Sequence, residues 1–183
     1  RMVTLLAKGG HLVAFAPRGD LLATADANQI QLWRTGTTDL VGPLKLAGYV
    51  QALKFSPDGK QLASLSFPDE VTVWEVDQRT IVRHIRGVRP GSHHLGALDF
   101  SADGKALVTG DAFGHLQVID LASGNTRFDI PEAHPEAITS VAWSADGSLI
   151  ASGSGYTGGP IQLWEAASGK PLGTLEGHTS WIC

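Results

Sequence analysis

Apolar and polar residues alternate with a period of two along most of this chain, in runs of four to seven positions rich in Val, Ile, Leu, Thr and aromatic residues. Gly, Asp, Ser and Pro interrupt the runs every 8 to 12 residues. Side chains on an extended strand point to opposite faces in turn, so this pattern predicts short antiparallel strands throughout, and no stretch carries a helical period. The runs come in sets of four. In one set the expected strands are Val50 to Phe55, Leu62 to Leu65, Val71 to Val76 and Thr80 to Ile85, here called a, b, c and d.

The sets repeat. An aromatic residue opens a Pro-Asp-Gly-like turn at Phe15, Phe55, Phe100 and Trp143, which stand 40, 45 and 43 residues apart. Each turn leads into a small apolar run (Leu21 to Ala25, Leu62 to Leu65, Ala106 to Gly110, Leu149 to Ser152) and then an alternating run with a large ending: Leu32-Trp33, Val73-Trp74, Val118-Ile119, Leu163-Trp164. A period in the forties excludes a coiled coil or a hexapeptide solenoid and marks a repeat architecture. In Ser56-Pro57-Asp58-Gly59, Pro presets φ, Asp can bond the backbone two residues on, and Gly accepts positive φ; Ser101-Ala102-Asp103-Gly104 and Ser144-Ala145-Asp146-Gly147 keep the Asp-Gly. A four-stranded meander that is apolar on both faces cannot stand free in water, whereas face-to-face stacking buries both faces. The expectation is an all-β fold of four-stranded antiparallel blades stacked radially as a β-propeller, an open arc or incomplete ring.

The 183 residues carry 43% hydrophobic content, enough for a packed core, and the 22 Gly and nine Pro fall at matching repeat positions as turn formers. One domain over 1–183 is expected, with approximate repeats at 7–46, 47–89, 90–131 and 132–176 and the start of a fifth at 177–183. Both ends read as cut through a unit, pointing to a piece of a longer protein. A net charge of −4 argues against a nucleic-acid partner, which usually requires a basic stripe. The single thiol, Cys183, allows no internal disulfide, and no apolar run approaches a membrane span. No membrane partner is expected, and a cytoplasmic setting is favoured.

The Phe-Ser-Pro-Asp-Gly turn, the Leu-Ala-Ser strand, the Leu-Trp ending and the Gly177-His178 opener together resemble WD-repeat β-propellers over essentially the whole chain. The Asp that gives that family half its name is replaced by Arg34, Glu75 and Glu165, and Asp120 follows Ile119 instead of Trp. The resemblance implies a hydrogen-bonded tetrad in each blade: a His before strand a, a Ser or Thr in b, an Asp in the b-to-c turn and the Trp in c. By position it offers His134, Ser152 and Trp164 in the fourth unit, Thr24 with Trp33, Ser64 with Trp74, and Thr109 with Ile119; His178 belongs to a unit whose other members lie past the chain end. The tetrad Asp falls on Asn28, Pro68, Phe113 and Tyr156, none of them acidic, with Asp26 and Asp69 nearby. Incomplete buried networks held mainly by packing are therefore expected.

No catalytic or cofactor motif stands beside the repeat, so neither a catalytic residue, a metal site nor a cofactor is expected. His93-His94 are adjacent and on a strand would face opposite ways, with no Cys or Glu at ligand spacing. No Gly-x-Ser-x-Gly elbow accompanies the serines, and the Gly-rich stretches 110–114 and 153–159 lack the helix and Lys of a phosphate loop. In a propeller the b-to-c and d-to-a loops share one rim, here offering Phe67, Phe113 and Tyr156 with Tyr49, Arg89 and His93. Aromatic and Arg side chains bury much area at small rotamer cost, which makes this rim the candidate surface for other proteins or peptides. The basic run from Arg79 to Arg89 reads as a solvated outer strand, with an acidic or phosphorylated peptide as the other reading. The preferred function is a non-enzymatic interaction scaffold; the alternatives are a regulatory segment fused to a catalytic domain outside this sequence, or a small-molecule or enzymatic propeller. The latter needs acids, His or a cofactor motif on inner strands, which are mostly Ala, Leu, Val and Phe. An open arc would also expose an apolar blade at each end and self-associate.

Overall fold

A computed structural model describes residues 12–26, 29–37, 39–46, 48–68, 70–88, 97–155 and 159–177. It contains sixteen strands and, among the described residues, no helix. The first blade is β1 (Leu12–Phe15), β2 (Leu21–Ala25), β3 (Gln29–Arg34) and β4 (Leu40–Lys45); the second is β5 (Val50–Phe55), β6 (Gln61–Ser66), β7 (Glu70–Glu75) and β8 (Thr80–Arg86). The third is β9 (Ala97–Phe100), β10 (Ala106–Gly110), β11 (Leu116–Asp120) and β12 (Thr126–Ile130), and the fourth β13 (Ile138–Trp143), β14 (Leu149–Ser154), β15 (Ile161–Glu165) and β16 (Pro171–Leu175). Each is an antiparallel meander in chain order. The pairing register slips at one equivalent place in all four, just before the large residue of strand c: Leu32/Trp33, Val73/Trp74, Val118/Ile119 and Leu163/Trp164. A bulge lets the outer strand turn sharply while the strand beneath keeps its inward face.

The first strands of successive blades, β1, β5, β9 and β13, lie side by side, and the sheets fan outward from them as an arc that does not close. Between blades the packing is apolar and repetitive. Ala23, Ala25, Ile30 and Leu32 of the first blade meet Phe55, Leu62 and Trp74 of the second in one buried cluster. Ala63, Leu65, Val71 and Val73 meet Phe100, Leu107 and Ile119 across the next interface. Ala106, Val108, Leu116 and Val118 meet Ile138, Ile150 and Trp164 across the third. Each fully buried Val, Leu, Ile or Phe side chain stabilises by roughly 1.5–3 kcal/mol, so the interfaces rather than the individual sheets hold the chain folded. Phe55 and Phe100 are 5% and 3% exposed because a preceding blade covers them, whereas Phe15 is 64% exposed. Leu175, at the far end of the arc, is also half exposed.

Two arginines of the second blade reach outward to its neighbours. Arg79 Nη1 donates to the Val41 carbonyl on β4 (2.7 Å), and Arg83 Nη2 donates to the Ala122 carbonyl in the turn after β11 (2.6 Å). His84 and Arg86 instead face Glu70, with His84 Nδ1 2.8 Å and Arg86 Nε 3.9 Å from its carboxylate. Much of the basic run is thus engaged within the molecule, two of its members as braces between blades.

The a-to-b turns are nearly identical networks. Ser56 Oγ donates to Asp58 Oδ1 (2.7 Å) and accepts from Gln61 N (2.9 Å), while Asp58 Oδ1 also accepts from Lys60 N (3.0 Å). Gly59 closes the turn onto the Ser56 carbonyl at φ 75°, a conformation that penalises any β-carbon. Ser101-Asp103 and Ser144-Asp146 reproduce the arrangement. The Ser hydroxyl, followed by the backbone N–H two residues on, holds Asp58 and Asp103 below the usual carboxylate range, and the same two donors bring Asp146 to about 2. Carboxylates depressed on folding contribute stability above their unfolded value near 3.9, and that contribution is lost as the pH falls through their folded values. Denaturation midpoints should therefore fall from about pH 4 towards pH 2. A D58N/D103N/D146N variant, whose amide oxygens still accept, should fall less steeply over that window; parallel profiles would contradict this account of the turns.

Candidate functional site

The tetrad positions meet to different degrees in the four blades. In the fourth, Trp164 Nε1 donates to Ser152 Oγ (2.8 Å), and Ser152 Oγ stands 2.7 Å from His134 Nε2, all three side chains being buried. The contact between Ser152 and His134 is a hydrogen bond in either imidazole tautomer. Burial pushes His134 below its ordinary value, so the ring is neutral near pH 7, and His134 Nδ1 has no partner among the described residues. In the first blade Trp33 Nε1 donates to Thr24 Oγ1 (3.0 Å). In the second, Ser64 and Trp74 are both buried, but Ser64 Oγ bonds to nothing among the described residues. In the third, Thr109 is buried and its hydroxyl has no hydrogen bond among the described residues, Ile119 offering no side-chain N–H. His178 lies outside the described residues, as do Asn28, Asp69 and Tyr156 among the positions considered for the acid.

Acids act two residues after the strand-b threonine instead. Asp26 Oδ1 accepts from Gln29 N (3.1 Å), and Asp111 Oδ1 accepts from Phe113 N (2.8 Å) and His115 N (2.9 Å). Both carboxylates tighten the loop between b and c, an arrangement the sequence signals through Thr-x-Asp at 24–26 and 109–111.

The b-to-c loops are laced by backbone bonds to the segments that enter strand a, of their own blade at Phe67 and Gly155 and of the following blade at Asp111 and Gly114. Phe67 N donates to the Tyr49 carbonyl (2.9 Å), His134 N to the Gly114 carbonyl (3.0 Å), Ile138 N to Asp111 O (2.8 Å) and Gly155 N to Ala137 O (3.1 Å). Gly114 has φ 81°, and a β-carbon on it would collide with the His134 carbonyl, so only glycine allows this approach. On this rim Phe67 is 46% and Phe113 64% exposed, and the Phe113 ring lies 6.3 Å from that of His115. Tyr49 is half-buried beside them. Arg89, His93 and Tyr156, also assigned to the rim by the repeat, fall outside the described residues.

A polar tie on the inner strands escaped the sequence reading. Asp99 Oδ1 lies 3.0 Å from Lys54 Nζ and accepts from Phe100 N (2.9 Å); Asp99 Oδ2 accepts from Trp143 N (2.8 Å). One buried carboxylate so joins β5, β9 and β13. The signal was available, because Lys54 and Asp99 each precede the turn-opening Phe and hence occupy equivalent places in adjacent blades. Among the described residues no group of three or more His, Cys, Asp or Glu is placed to hold a metal ion, and no helix is long and apolar enough to cross a membrane.

The profile of the family described as "WD domain, G-beta repeat" matches residues 126–157, which run from β12 through β14 and include His134 and Ser152. The chain belongs to the WD-repeat β-propellers. An uncharacterised WD repeat-containing protein, sll1491 of Synechocystis, is 31% identical over 128 residues, covering 70% of this chain and 35% of that protein. The ribosome biogenesis protein WDR12 homolog of Chlamydomonas reinhardtii is 27% identical over 194 residues, 99% of this chain and 39% of that protein. The WD repeat-containing protein slp1 of Schizosaccharomyces pombe is 23% identical over 165 residues, 89% and 32%. The chain thus spans roughly a third of the length of these curated relatives. A hydrazine synthase chain from Kuenenia stuttgartiensis superposes with a TM-score of 0.81 at 19% identity, over 97% of this chain and 52% of that one, a likeness of fold alone.

The WD repeat networks give opposite expectations for two equivalent serines. Ser152→Ala strands the buried Trp164 indole N–H and His134 Nε2 and should cost about 1–3 kcal/mol. Ser64→Ala removes a buried hydroxyl that has no partner and should be neutral or stabilising. Chemical denaturation of the two variants distinguishes a working network from a remnant; equal losses would mean that packing alone matters at both sites.

Proposed function

We propose that this WD-repeat arc is a non-enzymatic scaffold that docks protein partners on the rim formed by its b-to-c and d-to-a loops. The observation carrying this reading is the pair Phe67 and Phe113, exposed aromatic rings in equivalent loops of adjacent blades, each loop held in place by a backbone bond to a neighbouring segment. Rings held by a stiff frame lose little conformational freedom on binding, so the ordering cost of association is small. Partners spanning two blades gain most, because the distance between the two rings is set by the blade interface and not by a flexible linker. The WD-repeat relatives, among them one named for ribosome biogenesis, are consistent with an assembly role. A catalytic reading has less support: on the inner strands the prominent charged pair is Lys54 with Asp99, and both Asp99 oxygens are already engaged.

An F67A/F113A variant should lose about 30-fold or more in affinity for a cognate partner, the scale of an aromatic hot spot of 2 kcal/mol or above. Its denaturation midpoint should be unchanged. An I81A/V82A control alters exposed apolar residues of the outer strand β8 and should leave capture intact. Equal retention by both variants, or equal loss, would remove the rim from the account.

The terminal blade faces carry a second expectation. Phe15 and Val13 at one end and Leu175 at the other present exposed apolar area, and the 183-residue chain should associate reversibly through them. Sedimentation velocity across a hundredfold dilution series should show a rising mass with concentration that Phe15→Ser reduces. A monomer at every concentration would contradict it.

A further inference from the structure

The third blade differs from its neighbours where strand b carries its buried hydroxyl. In the first and fourth blades a Trp indole occupies that hydroxyl. Here Ile119 stands in the Trp position, and Thr109, 2% exposed and with no hydrogen bond to its hydroxyl among the described residues, lines a cavity of about 260 Å³ between the second and third blades. The cavity is lined by Thr109, Asp111, His115, Gln117 and Asp129 of the third blade, with Gly87 and Val88 closing it from the second. Thr109, Gln117 and Asp129 are register partners across β10, β11 and β12, so one polar row runs from the buried hydroxyl to the exposed edge.

Among the described residues, the lining offers acceptors in excess of donors. Asp129 forms no ion pair among the described residues. Gln117 donates through Nε2 to Thr126 Oγ1 (2.9 Å), leaving its carbonyl oxygen open. Asp111 Oδ2 lies 3.3 Å from His115 Nδ1, and Arg86, next to Gly87, is drawn towards Glu70. The exposed Phe113 ring stands against His115 and adds a π-face, which attracts cations. At about 260 Å³ the space is below the roughly 300 Å³ at which small-molecule pockets begin, so it matches one side chain better than a cofactor.

We infer that this inter-blade cavity is a receptor for a single basic side chain, an arginine or lysine of a partner peptide lying over Phe113. The inference rests on the docking role proposed for the rim and specifies its chemistry: the partner inserts a cation beside a strand-b hydroxyl that no tryptophan engages. A cation there meets the Asp129 carboxylate, the Gln117 carbonyl and the Thr109 hydroxyl, and leaves the interactions of Asp111 intact.

The probe is the capped pentapeptide acetyl-Gly-Gly-Arg-Gly-Gly-amide, titrated into the full chain while the His115 ring resonances are followed by NMR. The expected dissociation constant is on the order of 1 mM, as befits one side chain. Binding should weaken about tenfold or more when citrulline, an uncharged isostere, replaces arginine, and also in Asp129→Asn and Thr109→Val. Thr109→Val changes no charge, so retention of wild-type binding by it would show mere surface attraction and overturn the inference, as would equal binding of the citrulline peptide. Arg89 follows Val88 in the sequence. If the peptide binds only an Arg89→Ala chain, the chain's own arginine fills the cavity and the partner assignment is overturned. The two readings fail separately: Thr109→Val retaining both peptide and partner removes the cavity while sparing the rim. Peptide binding that depends on Thr109, alongside partner capture unaffected by F67A/F113A, keeps the cavity and removes the rim.

Discussion

Face-to-face burial between neighbouring blades is the constraint from which the rest of this molecule follows. Strands b and c of every unit are apolar on both sides, and a single four-stranded sheet can bury only what another sheet covers. The three interfaces therefore supply most of the stabilisation, and each does so with the same vocabulary: small and branched residues on one blade, an aromatic or long aliphatic residue from the next. Hydrogen bonds are secondary in this arrangement. The second blade leaves Ser64 unsatisfied and still buries Trp74, so packing alone fixes there what the tetrad helps to fix in the fourth.

Freedom from the tetrad has consequences for chemistry at the loops. Where Trp, Ser and His all remain, as at 134, 152 and 164, polar groups are consumed internally. Where the Trp is lost, as at Ile119, a hydroxyl and the polar row beside it become available to something else. Function in such a chain is written in the departures from the repeat, because the matching positions are occupied by the shared task of stacking. The Asp at the start of the b-to-c loop fits this view, since it restores by local capping of Phe113 and His115 some of the order that the missing tetrad acid would give.

The fold was legible because its determinants are local and repeated. Strand β5 runs from Val50 to Phe55 and β2 from Leu21 to Ala25, as the alternation and turn residues require, and Asp58 bonds the backbone two residues on as the turn chemistry predicts. Strand ends shifted by a residue or two, for instance β6 extending to Gln61–Ser66, since ladder bonds continue past the last patterned residue. The arginine braces were illegible: nothing near Arg79 or Arg83 in sequence announces carbonyl partners 38 and 39 residues away. The cavity beside Thr109 was hidden for a related reason. The replacement of Trp by Ile119 was visible, but the cavity itself depends on how two separate sheets approach.

The Asp99 carboxylate receives an ammonium from β5 and an amide from β13 while sitting on β9. Detaching either neighbouring axial strand removes a partner from a carboxylate that is largely shielded from water, which couples the three strands to one another. Outer strands such as β16, exposed along its whole length, carry no such tether. Opening motions should therefore be graded radially, with peripheral amides trading protons with solvent through independent fraying and those near the hub doing so only in a collective event.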